Sequence, residues 1–206
     1  MSFNQSISNS KIVPYIYKLK RGDSLIIHHD NNNIYLVVEG ILILHKKFTN
    51  GEKFSTCIAY EGKLIQPFIP ISTSCNYFYE LESISMTYIL SISGKDNSSL
   101  HTISKFPLKY NLVENYHLLD ILIHRNIKQR IIQFFLILCE LIGKNHHKYI
   151  LIDIRLSYDT IATVTGSHKN TISKLINQLE KEELIQHNKH QVLIYNLNLL
   201  SNYNQR

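Results

Sequence analysis

Between Ser167 and Gln178 the chain places Ser167, His168, Lys169, Asn170, Thr171, Ser173, Lys174 and Asn177, with two lysines and no acid in the stretch. Interleaved with them, Ile172, Leu175, Ile176 and Leu179 recur at helical spacing. One face of such a helix is apolar, and the other is short-chained, cationic and rich in amides and hydroxyls. That combination suits the edge of a nucleic-acid duplex. A lysine can donate to guanine O6 and N7, and an asparagine can pair bidentately with adenine. Lys169, Asn170, Ser173 and Lys174 are therefore the candidates to reach base edges or flanking phosphates. The hydroxyls of Ser167 and Thr171, together with the helix N-terminus, suit a phosphate oxygen. His168 and Asn177 are candidates for contacts to the DNA backbone. Any one of these residues could equally belong to a solvated helix face, so the assembled pattern carries the reading.

A helix of this kind needs a partner to present it. Ser157 is a good N-cap, and Tyr158–Val164 predicts a short helix with Ile161, Ala162 and Val164 facing inward. Thr165-Gly166-Ser167 is the expected break, with Gly166 supplying positive φ and Ser167 capping the next helix, which runs to about Glu182. Two short strands around His187–His190 follow. Helix, three-residue turn, helix and β-wing together predict a winged helix-turn-helix.

The remainder reads as two textures. From Lys11 to about Ser93, short β-rich runs alternate with turn signals, among them Arg21-Gly22-Asp23 and Asn50-Gly51. Asn50-Gly51 suggests a two-residue type I′ hairpin. Strands at this spacing predict a jelly-roll β-barrel. After that the period becomes helical. Leu112, Tyr116, Leu119 and Ile123 form an a/d-like seam suited to packing on a second copy of the chain. The run from Ile127 to Gly143 is apolar nearly all round and should be buried, with Gly143 as its stop. The expected organisation is an α+β chain: a β-barrel sensor-like domain at 1–106, a dimerisation helix at 107–124 and the winged helix-turn-helix at 125–206. A rival reading makes the chain a small-molecule-binding β-barrel whose C-terminal helices serve only dimerisation.

Bulk composition is permissive rather than decisive. The chain has 206 residues, a net charge of +6 and a pI near 9.1. Its basic excess is not concentrated in the reader, since 16 Lys/Arg face 11 Asp/Glu up to Tyr149 and 6 face 5 thereafter. Cys57, Cys75 and Cys139 are odd in number and widely spaced, which suggests neither a disulfide framework nor a metal knuckle. The paired histidines His28-His29 and His146-His147, and His187 with His190, lack partners at ligand spacing, so no metal or cofactor is expected. No GxSxG, HExxH or phosphate-cradling glycine loop is present, and no enzyme is expected. MSFNQSISNS carries neither an apolar signal core nor an Arg-rich transit pattern, and no membrane span is expected. Ile, Asn and Lys supply 67 of the 206 residues, a bias toward AT-rich codons that fits an organelle genome.

With these residues in view, the chain resembles the cyclic-AMP receptor protein/FNR family of transcription regulators over nearly its whole length. In the β-domain the likeness rests on "RGD" and "IYLVVEGILIL". Further on, "HRNIKQRIIQFFLILCELIG" and "LSYDTIATVTGSHKNTISKLINQLEKEELIQHNKHQVLIYN" are similar to the cyanobacterial global nitrogen regulators in particular. A plastid-encoded red-algal counterpart is the kind of relative implied. The resemblance implies a cyclic-nucleotide-binding-like barrel, a homodimer, an activator role, a palindromic double-stranded DNA site and RNA polymerase as partner. It also implies a departure in the reader, since the family's two recognition-helix arginines are Lys169 and Lys174 here. At the sensor site this chain has "IQPFIP" (Ile65–Pro70), Tyr77, Asn111 and Tyr116 at positions the family uses for its ligand. Without the family's arginines, neither 2-oxoglutarate nor cyclic AMP is expected to bind in the usual way.

Overall fold

The computed structural model describes residues 14–27, 33–66, 76–93 and 116–203. In its N-terminal half are β1 (Tyr15–Leu19), β2 (Ser24–Ile27), β3 (Asn33–Glu39), β4 (Ile41–Phe48), β5 (Lys53–Tyr60), β6 (Leu64–Ile65), β7 (Tyr77–Ser83) and β8 (Thr87–Ser93). They form two antiparallel four-stranded sheets, ordered β1-β8-β3-β6 and β2-β7-β4-β5. Leu42, Leu44, Cys57, Ala59 and Leu81 from the second sheet meet Leu19, Tyr35, Val37 and Ile89 from the first in one buried cluster. The expected jelly-roll interior is thus a packed core.

β4 opens with Ile41-Leu42-Ile43-Leu44, apolar without alternation, and all four side chains are buried. Alternating residues of a strand point to opposite faces, so this run needs cover on both. Leu42 and Leu44 fill the barrel. Ile41 and Ile43, with Ile58 and Ile84, join a second core made with the C-terminal helices.

Those helices are α1 (Tyr116–Leu122), α2 (Ile127–Ile142), α3 (Tyr158–Thr165), α4 (Lys169–Lys181) and α5 (Leu197–Ser201). A third sheet joins β9 (Lys144–Asn145), β10 (Ile150–Ile152), β11 (Ile185–His187) and β12 (Val192–Ile194) in the order β11-β12-β10-β9. α2 buries Ile131, Ile132, Phe134, Phe135, Ile137 and Leu138, as its all-round apolarity requires. The α+β architecture, barrel then helices then winged helix-turn-helix, is the expected one. Of the expected dimerisation helix only Tyr116–Leu122 is described as helix, and residues 107–115, including Leu112 and Asn111, lie outside the described residues.

One local expectation is corrected. Asn50-Gly51 is not a type I′ pair, because Gly51 has φ 90° while Asn50 is not among the positive-φ residues. Gly51 N–H donates to the Phe48 carbonyl at 3.0 Å and Phe48 N–H to that of Glu52 at 2.8 Å. This is a three-residue turn closed by a glycine bulge, stabilised by the Asn50 side chain accepting from Glu52 N–H. Gly143 stops α2, as expected, in an extended conformation (φ −61°, ψ 128°). It is glycine for space: a Cβ there would come within 2.4 Å of the Cys139 carbonyl oxygen and 2.8 Å of Ile150 Cγ2.

The outer face of the β2-β7-β4-β5 sheet also carries a polar junction. Glu82 accepts from Thr160 of α3 at 2.7 Å through Oε1, and through Oε2 it meets His45 Nε2 and Lys53 Nζ, both at 3.1 Å. The fully buried His45 completes its bonding with Ser55 Oγ at 3.1 Å from Nδ1. Because a carboxylate only accepts, the network assigns the proton to His45 Nε2. Burial lowers the His45 pKa against the raising effect of Glu82, so the ring is neutral. Burial alone would raise Glu82, but the His45 and Thr160 hydrogen bonds and the Lys53 charge outweigh it and bring the carboxyl down to about 2. A carboxyl depressed from 4.5 stabilises the fold above the unfolded value, and that contribution, on the order of 3 kcal/mol, is lost as pH falls toward 2. The melting temperature of the wild-type chain is therefore expected to fall steeply from about pH 5 to about pH 2. Glu82→Gln, which lacks this proton linkage, should give a lower melting temperature at neutral pH and a shallower slope in that window. Parallel slopes in differential scanning calorimetry would show that Glu82 is not held low.

Candidate nucleic-acid interface

The bihelical unit is built from α3, a tight turn and α4. Ser157 accepts from Thr160 N–H at 3.0 Å and starts α3, as expected. Ile161, Ala162 and Val164 are buried, as is Thr165, whose hydroxyl donates to the Ile161 carbonyl at 2.8 Å. α3 includes Thr165, so the break is Gly166-Ser167-His168, one residue later than the sequence suggests. Gly166 sits in the left-handed region (φ 62°, ψ 45°), and Gly166 N–H and Ser167 N–H both return to the Ala162 carbonyl. Ser167 does not cap α4. The cap position falls to His168, whose side chain makes no capping hydrogen bond. With no acid in the first turn of α4 either, its leading amides are not answered by a neighbouring carboxylate.

Ile172, Ile176 and Leu179 of α4 are fully buried, and Leu175 is half-buried against the same core. On the opposite side His168, Lys169, Asn170, Lys174 and Asn177 are exposed, while Ser167, Thr171 and Ser173 are half-buried. The eight residues singled out in the sequence are thus all at least partly accessible on α4 and its leading turn. Lys169 is not alone there: its Nζ lies 2.7 Å from Asp159 Oδ2 in the first turn of α3. The reading from α4 alone missed Asp159, although an acid in the first turn of the preceding helix was a visible signal. Also missed were two struts. Arg130 of α2 donates from Nε to the His124 carbonyl (2.8 Å) and from Nη1 to that of Thr165 (2.9 Å), tying the α1–α2 link to the turn. His187 of the wing contacts the Leu156 carbonyl at 2.8 Å and stacks on Tyr158 at a centroid distance of 5.2 Å.

The expected dimer seam is partly described. Leu119 and Ile123 are 61% and 80% exposed, while Leu118 and Ile121 on the other side of α1 are buried. Nothing is described of the Leu112 and Tyr116 side chains. At the expected sensor site Ile65 is buried and Lys46 Nζ stands 3.7 Å from the centroid of the Tyr77 ring; residues 67–75 and Asn111 lie outside the described residues. Among the described residues no three His, Cys, Asp or Glu side chains stand together to hold a metal ion, and no helix is long and apolar enough to cross a membrane.

Residues 129–203 match the model of the Crp-like helix-turn-helix domain. Over 97% of its length the chain is 28% identical to ycf28 of Porphyra purpurea, a proposed HTH-type transcriptional regulator, covering 84% of that protein. It is 22% identical over 93% of its length to the global nitrogen regulator of Synechococcus elongatus, covering 90% of it. A CRP-family transcriptional regulator from Thermus thermophilus superposes with a TM-score of 0.70 at 16% identity, over 92% of this chain and 97% of that one. The fold and the bihelical unit define a CRP/FNR-like architecture that ends in a Crp-like helix-turn-helix domain. Residues 129–203 are thus similar to a Crp-like helix-turn-helix domain, and nearly the whole chain is similar in sequence to ycf28 and to the global nitrogen regulator.

The turn gives a direct test of this geometry. Gly166→Ala puts a Cβ on a left-handed residue and within 3.3 Å of Arg130 Nη1. The substitution is expected to cost roughly 1–2 kcal/mol, read as a lower urea midpoint at unchanged slope.

Proposed function

We propose that the chain is a homodimeric activator of transcription that binds a palindromic duplex with one α4 per half-site and positions RNA polymerase nearby. The observation that carries this is the face of α4: cations, amides and hydroxyls outward, three fully buried aliphatics inward, on a helix whose first turn has no acid. Lys169, Asn170, Ser173 and Lys174 take the base edges and adjacent phosphates, and Ser167, Thr171, His168 and Asn177 the flanking backbone. The uncapped N-terminus of α4 favours a phosphate oxygen as well. The composition rich in Ile, Asn and Lys and the likeness to a Porphyra purpurea protein support a plastid-encoded regulator. The units are a barrel at 1–106, a dimer helix at 107–124 and the reader at 125–206. The match of residues 129–203 to a Crp-like helix-turn-helix domain supports this reading over the rival in which the C-terminal helices only dimerise a ligand-binding barrel.

Selection from a random duplex pool should enrich a palindrome whose half-sites are centred one DNA turn, ~34 Å, apart. Lys169→Ala and Lys174→Ala are expected to weaken binding to that duplex by about 1–3 kcal/mol each without changing the sedimentation of the protein. Unchanged affinity in both variants removes α4 from the role of reader.

The exposed Leu119 and Ile123 support a second copy of the chain as partner of α1. Ile123→Glu should convert the dimer to monomer in analytical ultracentrifugation and weaken palindrome binding. A dimer that persists at the same concentration places the interface elsewhere.

A further inference from the structure

Lysine is a poor substitute for arginine as a base reader. Its ammonium is a point charge on a four-carbon stem, with three donors free to turn toward any nearby phosphate, whereas a guanidinium presents a fixed fork. Left to itself, a reader helix armed with lysines would bind every duplex and discriminate weakly. Lys169 is not left to itself. It extends from the first turn of α4 back to the first turn of α3, where its Nζ meets Asp159 Oδ2 at 2.7 Å, with both side chains more than half exposed.

We propose that Asp159 is a specificity-determining positioning residue: it orients the Lys169 ammonium for a base edge and withholds it from the phosphate backbone. The idea rests on α4 being the reader. With one of its three protons on Asp159, the ammonium keeps two for acceptors on the opposite side, a match for guanine O6 and N7 in the major groove. The first helix of such a unit crosses the phosphate backbone, so the Asp159 carboxylate also opposes a phosphate approaching Lys169. A wrong sequence offers that lysine only phosphates, and binding it then means breaking the ion pair. A right sequence can be bound with the pair intact. This places a repulsive element beside the attractive one, which is how discrimination is raised without added affinity.

A purely local role for Asp159 is the competing account, since an acid in the first turn favours the dipole of α3. The two separate cleanly in binding measured by fluorescence anisotropy over a salt series. The probes are the duplex enriched by selection with the wild-type chain and a shuffled duplex of equal length and base composition. Asp159→Asn is expected to bind the shuffled duplex about two- to fivefold more tightly, the scale of an exposed ion pair, with little gain on the selected one. Its salt slope on the shuffled duplex should steepen by about 0.9, the mark of one more phosphate neutralised. Asp159→Glu should restore both quantities, and in a Lys169→Ala background Asp159→Asn should alter neither. Equal tightening on both duplexes, or unchanged discrimination and slope with only a lower melting temperature, overturns the proposal while leaving the reader in place. If Lys169→Ala and Lys174→Ala leave binding to the selected duplex untouched, the reader and the role of Asp159 fall together.

Discussion

A single β-sheet with two apolar faces holds this molecule together. The Ile41–Leu44 segment sends Leu42 and Leu44 into the barrel and Ile41 and Ile43 into the core shared with the C-terminal helices. Neither half can close its core alone: without the helices the outer face of the sheet would expose Ile41, Ile43, Ile58 and Ile84 as one apolar patch. Apolar packing is non-directional, however, and would tolerate sliding. Direction comes from the polar contacts around it. Thr160 donates to Glu82, Arg155 N–H donates to the Ile84 carbonyl at 2.7 Å, and Arg21 pairs with Asp153 at 2.6 Å. Breaking one partner of a half-buried carboxylate network costs more than the pair contributes, which makes Glu82 a register pin.

The same contacts determine what reaches the reader. Arg21 also donates to the His190 carbonyl in the wing at 3.3 Å, and Arg155 packs over Gly22, where any Cβ would lie 2.6 Å from its guanidinium. On the other side, Arg130 ties the end of α1 to the turn before α4. The α3–α4 unit is thereby braced from the barrel, through Thr160 and Arg155, and from the α1 side, through Arg130. A rotation of α1 is coupled to the α3–α4 turn by hydrogen bonds to main-chain carbonyls. Such a linkage suits rigid-body switching better than local unfolding.

Much of this was legible because the signals were local. Ser157, Gly166 and the aliphatic spacing of α4 specify the bihelical unit by capping, left-handed backbone and period, and each did what its chemistry requires. The unalternating ILIL run was read only as a strand, and the two buried faces it requires emerge from the structure. What sequence reasoning missed were contacts between residues far apart in the chain. Glu82 and Thr160 are 78 positions apart, and Arg130 and Thr165 are 35 apart, so no periodicity could pair them. The cap on α4 was misplaced by one residue because Thr165 prefers the Ile161 carbonyl and extends α3 by that residue. The Asn50 hairpin was misread because the same dipeptide serves two turn classes, and only the strand register distinguishes them.

The pairing of Lys169 with Asp159 bears on how specificity is kept in regulators that meet DNA with lysines rather than arginines. Binding strength in such proteins comes largely from phosphates and is insensitive to sequence, so a more mobile cation raises background binding along with specific binding. Two remedies exist: restore the fork or restrain the point charge. The contact of Lys169 Nζ with Asp159 Oδ2 at 2.7 Å, one helix away, has the geometry of the second. Lys174 is exposed further along α4, and no ion pair joins it among the described residues. On the proposed reading, restraint directs Lys169 toward bases, while Lys174 stays free to meet a base edge or a phosphate.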